Sequence, residues 1–169
     1  MSESLITDEA RAMIGTETEA VTGYPVTEHE IRRYAYAADD HNPLWSDPEY
    51  AGSTEHGGII APPLFYNIPF ATDYPLSALR PDGLPKPDKR SALALVPPLK
   101  ATRQMAGETE LEFFQPIRPG DVLSYKSRLA DLYERDGRSG RLAFIVLETT
   151  CRNQRGEVVA KEKFTLIQR

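Results

Sequence analysis

Cysteine is nearly missing from this chain. Cys151 is the only one, so no intramolecular disulfide can form, and a reducing, cytoplasmic setting is expected. It closes a strand-like run, Arg141 to Cys151, where a packed structural thiol is expected in preference to a reactive one. Histidine is scarce as well. His29, His41 and His56 show no ligand spacing with one another or with the cysteine, and the carboxylates are scattered, so no metal site is expected. No apolar run is long enough to span a bilayer. Met1 to Met13 carries Glu3, Asp8 and Glu9 in place of the basic patch and apolar stretch of a secretory signal. Positive charge is in deficit: the formal net charge is -5, and no basic stripe with interleaved aromatics appears, which argues against nucleic acid as the ligand. Neither a phosphate-cradling P-loop nor a dinucleotide fingerprint is present, and no cofactor is expected. A small molecule is the expected ligand.

What is present fits one α+β domain. At 169 residues the chain can bury roughly 70% of its unfolded surface, enough for a core without staples. Residues 1 to 15 read as a short helix ending at Gly15, followed by a strand from Thr16 to Val26. Thr27 with Glu30 forms a capping box, and Ile31, Tyr34, Ala35 and Ala38 mark the apolar face of a helix running to about Asp39. Ser46 to Glu49 suggests a second capped turn. Pro62 and Pro63 suit the first positions of a helix, which places a buried helix from about Pro62 to Thr72, kinked or shortened by Pro69. From Asp73 to Gly107 the chain is proline-rich and aperiodic, an insert that is either functional or simply a surface segment. The last third reads as four strands: Thr109 to Gln115, Asp121 to Glu134, Arg141 to Cys151 and Glu157 to Ile167, joined by turns at Asp136-Gly137 and Asn153 to Gly156. On the third of these Ala143, Ile145, Leu147 and Cys151 share one face, while Leu142, Phe144 and Val146 form the other, which a second chain would cover.

Three segments carry a resemblance: Tyr34-Ala-Tyr-Ala-Ala-Asp-Asp-His-Asn-Pro-Leu-Trp45, Gly57-Gly-Ile-Ile-Ala-Pro-Pro-Leu-Phe65 and Phe114-Gln-Pro-Ile-Arg-Pro-Gly-Asp121. With the order of elements, they resemble the MaoC-like (R)-specific enoyl-CoA hydratases of the hot-dog fold. More narrowly, they look like the amino-terminal dehydratase branch of mesaconyl-CoA hydratases and mycobacterial hydroxyacyl-ACP dehydratase subunits. The resemblance implies a central helix wrapped by an antiparallel sheet, dimerisation, and reversible hydration of a trans-2-enoyl thioester of CoA or acyl carrier protein. In active members an Asp and a His five residues later orient the water, and a backbone N–H at the start of the hot-dog helix supports the enolate oxygen.

Asp40 falls on the family Asp, and Asn42 with Pro43 keeps the loop pattern. Trp45 stands where the His belongs, and an indole cannot act as a base. Pro63 matches the glycine that usually opens the helix and has no N–H. Two parts of one mechanism are therefore missing, which implies the substrate-binding half of a two-part enzyme. Its partner would be a hot-dog chain with the intact pair, although a homodimer stays open. Asp40, His56 and His41 are the candidate proton-transfer groups. Trp45, Leu64, Phe65 and Tyr66 are candidate tunnel lining, and Ile60, Ala61 and Pro63 belong to the helix entrance. Gly57 and Gly58 permit close ligand approach or an ordinary turn. The insert's Arg80, Lys86, Lys89, Arg90, Lys100 and Arg103 outnumber Asp82 and Asp88, so the segment either meets the phosphates of CoA or is merely solvated. A non-catalytic acyl-binding scaffold is the main alternative. A hot-dog thioesterase is disfavoured because Pro62 to Thr72 holds no carboxylate.

Overall fold

The computed structural model describes residues 4–70, 76–83, 86, 88–101, 103–138 and 140–169. Five antiparallel strands form one sheet: β1 (Val21–Thr22), β2 (Gln104–Phe113), β3 (Ser124–Gly137), β4 (Gly140–Arg152) and β5 (Val158–Gln168), in the order β1-β3-β4-β5-β2. The β3–β4 hairpin closes where Gly137 pairs with Gly140, and the β4–β5 turn closes where Asn153 bonds Glu157. Alternation puts Ala143, Ile145, Leu147 and Cys151 on the inner face of β4, all buried, as the sequence pattern requires.

Helix α1 (Asp8–Ala12) ends in a turn through Gly15, which has a φ of 90°. Helix α2 (Glu28–Ala37) starts on the expected capping box: the Glu30 amide donates to Thr27 Oγ1 at 3.2 Å, and the Thr27 amide donates to the Glu30 carboxylate at 3.1 Å. Helix α3 (Pro48–Ser53) is capped by Asp47. The expected buried helix is present as the central helix, Pro63–Phe70, wound as a 3-10 helix; Ala71 and Thr72 lie outside the described residues. Pro69 bears on the tighter winding: inside the helix it lacks the N–H for an i to i-4 bond and in an α-helix its ring would crowd the Phe65 carbonyl, whereas Pro62 and Pro63 stand where no such bond is made.

The expected strand from Thr16 to Val26 is also reduced, to Val21–Thr22 and an isolated bridge between Glu17 and Arg128. At Gly23 the chain turns from the sheet onto the central helix. A Cβ there would lie 2.5 Å from the carbonyl oxygen of Pro69, and the next amide, of Tyr24, donates to that same oxygen at 3.1 Å. Conversely, β2 begins at Gln104, five residues ahead of the expected Thr109. A bulge between Ala106 and Thr109 breaks the alternation there, and Gly107 fits because a Cβ would meet the Thr165 carbonyl at 2.8 Å.

Two apolar clusters cover the inner face. One joins the central helix and α2 to Leu123, Cys151 and Ala160; the other joins α1 and the Ala92–Leu95 turn to Leu129, Ile145, Leu147 and Leu166. Cys151 sits in the first, 1% exposed, and burial pushes its thiol up to about 12. In native protein at pH 8 a thiol reagent should label essentially none of it, with full labelling only after denaturation; rapid native labelling would contradict this burial. No helix among the described residues is long and apolar enough to cross a membrane.

Candidate functional site at the helix entrance

Asp40 follows α2 directly. The chain leaves that helix through Asp39, whose φ is 54°, and the Asp40 amide bonds back to the Ala35 carbonyl at 2.9 Å. The Asp40 carboxylate is held on both oxygens: Oδ1 accepts from the Asn42 amide at 3.1 Å, and Oδ2 accepts from the indole Nε1–H of Trp45 at 2.9 Å. Asn42 in turn caps the short 3-10 turn Pro43–Trp45, its Oδ1 accepting from the Leu44 amide. The Trp45 indole is a donor only and offers no lone pair to a proton.

The loop is fastened to the helix entrance. The Ile60 amide donates to the Leu44 carbonyl at 3.4 Å, and the Ala61 amide donates to Ile117 at 2.8 Å. With Pro62 and Pro63 next, four successive positions present no backbone donor to a ligand. Beside them a groove of about 210 Å³ is walled by Trp45, His56, Pro63, Phe113, Phe114 and Val159. Trp45 is 7% exposed and forms its inner wall, so Asp40 meets the groove through the indole. His56 is half-buried on the rim, within the Thr54–Gly57 turn in which Gly57 takes a φ of 64°.

Residues 12–162 match the sequence profile of the FAS1-like, dehydratase domain region family. The chain belongs to that family. A UPF0336 protein of Saccharopolyspora erythraea is 28% identical over 159 residues, spanning 94% of this chain and 90% of the relative. The probable enoyl-CoA hydratase alpha subunit of Thermomonospora curvata is 29% identical over 147 residues, covering 85% of this chain and 44% of that protein. Among solved structures, a chain of the ChsH1-ChsH2 complex from Mycobacterium tuberculosis superposes with a TM-score of 0.73 at 23% identity, over 95% of this chain and 89% of that one. The sheet around a central helix is therefore the hot-dog arrangement of the MaoC-like dehydratases.

Within this dehydratase-family frame the candidate residues separate. Asp40, Asn42 and Trp45 form one hydrogen-bonded unit, and Trp45, His56, Ile60, Ala61 and Pro63 line one groove. His41 stands outside the groove: its Nε2 lies 2.9 Å from Asp39 Oδ1, both side chains are largely exposed, and it shares with Asp40 only a small pocket of about 70 Å³. Leu64 is 53% exposed, and Phe65 is fully buried in the core, its ring edge-on to Tyr34, so neither walls the groove. Arg103 sits at the opposite end of β2 from Phe113, which at about 3.3 Å per residue separates it from the groove by roughly 30 Å. Arg80 and Arg90 of the insert pair with Asp82 and Asp88, and Lys86 Nζ donates to the Ser77 carbonyl. Phe113, Phe114 and Val159 were not singled out as site residues from sequence; the available signal was an aromatic pair whose second member, Phe114, opens a segment that carried the resemblance. Among the described residues no His, Cys, Asp and Glu cluster is able to hold a metal.

Proposed function

We propose that this chain is the substrate-binding half of a two-chain hydratase or dehydratase acting on trans-2-enoyl thioesters of CoA or acyl carrier protein. The observation that carries the reading is the Asp40–Trp45 bond: a carboxylate in the family position is occupied by a donor that cannot act as a base. The donor-poor stretch from Ile60 to Pro63 supports it, because an enolate oxygen placed there would find no N–H. The groove then accommodates substrate while a partner chain with an intact Asp and His performs proton transfer.

The geometry of the sheet favours an edge as the partner's seat. The outer face that Phe144 shares turns charged toward its centre, where Arg128 bonds Glu148 at 2.6 Å and Lys163 bonds Glu110 at 3.2 Å. By contrast β2 is an open edge, a ten-residue strand exposed almost throughout. A self-pairing centred on Thr109 sets Glu108 against Glu110, and one centred on Leu111 sets Glu110 against Glu112, both destabilising. A different hot-dog chain, with cations on its edge, avoids that conflict. One observation favours a second reading: His56 stands in the same groove as Trp45 and supplies a base of this chain's own.

The two readings part in one assay. A panel of trans-2-enoyl-CoA thioesters is offered to the purified chain alone, beside Asp40→Ala and His56→Ala. The expected result is acyl-CoA binding with no hydration by any of the three. Turnover by the wild-type chain that His56→Ala abolishes would sink the accessory reading and establish an independent site.

A further inference from the structure

The inner face of the sheet is interrupted. Between the apolar row Tyr125, Cys151 and Ala160 and the apolar row Leu129, Leu147 and Phe164 runs one polar cross-strand row, Ser127, Thr149 and Glu162. It lies at the seam of the two hydrophobic clusters. Apolar side chains in that row would fuse the clusters into one core. Polar groups there act against core continuity, and such departures from a consistent pattern concentrate at functional sites.

The row floors a cavity of about 220 Å³. Tyr66, Asn67 and Phe70 of the central helix and Ser91 and Ala92 of the insert enclose it from above. Ser127 Oγ and Thr149 Oγ1 are 2.7 Å apart, and the Tyr66 hydroxyl donates to Glu162 Oε2 at 2.9 Å. Burial and the adjacent Glu162 carboxylate hold the Tyr66 phenol above its ordinary pKa, so it stays a donor. Among the described residues no cation lies within ion-pair distance of Glu162; Lys163 is bonded to Glu110. The volume is below the roughly 300 Å³ at which whole-ligand pockets begin, so the cavity suits one end of a ligand.

It is also in line with the groove. Pro63 lines the groove and Tyr66 lines the cavity; three residues apart in a 3-10 helix, they share one side about 6 Å from each other. The Tyr66 ring meets Phe113 of the groove wall edge-on, at 6.3 Å between centroids.

We propose that the seam cavity receives the far end of the acyl group and selects one that carries a hydroxyl there. The Glu162 carboxylate accepts the hydroxyl's hydrogen, with the Ser127–Thr149 pair beside it. A carboxylate-terminated group is rejected by charge, and a methyl terminus leaves the row's acceptor without a ligand partner. The ligand's thioester end rests on the function proposed above; the cavity and its polar row do not.

Calorimetry with hexanoyl-CoA, 6-hydroxyhexanoyl-CoA and adipoyl-CoA tests the selection on the full chain. The hydroxylated thioester should bind about tenfold tighter than hexanoyl-CoA, with adipoyl-CoA weakest, and Glu162→Leu or Thr149→Val should each erase most of that preference. The two variants alter different strands, so a folding failure in one leaves the other decisive. Equal affinities for all three thioesters, or a preference that survives both variants, overturns the inference. A thioester-free arm separates the two proposals: 1,6-hexanediol should shift the amide resonances of Asn67, Thr149 and Glu162 while adipate does not. Shifts with the diol but no binding of any CoA thioester would remove the thioester reading and keep the site; no shift and no thioester binding would remove both.

Discussion

Phe65→Ala should lower the stability of this chain by about 3–5 kcal/mol, the usual loss for removing a buried aromatic ring. Phe65 is 0% exposed and among the largest fully buried side chains, and its edge contact with Tyr34 ties the central helix to α2. The backbone around it contributes little. A 3-10 helix has poorer hydrogen-bond geometry than an α-helix, and here Pro69 removes one donor from its interior. The segment is therefore held by what it buries, with Phe65 as its anchor. Against a total of about 5–15 kcal/mol for a domain, the loss is about a fifth or more. Urea unfolding should show it as a lower midpoint at unchanged slope. Leu64→Ala, one residue away but 53% exposed, should change stability by less than about 1 kcal/mol. Similar losses for the two variants would mean that the helix does not dock on the sheet through Phe65.

The same segment shows what the sequence made legible. That an apolar, proline-bounded helix follows Gly57-Gly58 is written in its residues; that it winds as a 3-10 helix depends on Pro69 in its interior together with the crossing at Gly23. The capping box of Thr27 and Glu30 and the alternation of β4 are local signals and were readable directly. The start of β2 was not, because the bulge at Gly107 breaks the alternation that announces a strand. At the site, Asp40 and Trp45 were singled out through the resemblance carried by one short motif, Tyr34 to Trp45. The bond between them needed the loop's geometry. Glu162 was hidden most fully. It lies in an alternating charged run, Lys161-Glu162-Lys163, and only the pairing with Thr149 and Leu111 shows that this one member of the run faces inward.

On the function proposed above, substitutions at Trp45 and Pro63 should produce the largest change in activity. In Trp45→His an imidazole keeps a donor for Asp40 Oδ2 on one nitrogen and presents a base on the other, the division of roles that an indole cannot provide. General-base participation is worth about 10²–10⁴-fold in rate. The helix entrance then becomes limiting, since Ile60 and Ala61 already donate to Leu44 and Ile117, and Pro62 and Pro63 have nothing to donate. Adding Pro63→Gly restores one N–H beside the groove, and an oxyanion donor contributes about 10²–10³-fold. The expected order of enoyl-CoA hydration is therefore none for the wild-type chain, little for Trp45→His, and more for the double variant by a factor approaching the oxyanion term. Asp40→Ala introduced into the double variant should return it to baseline, because the new imidazole loses the carboxylate that orients it. A double variant that folds and binds acyl-CoA yet hydrates nothing would show that these two positions are not what separates the chain from catalysis, and the cause would have to be sought in the shape of the Trp45–Phe113 groove.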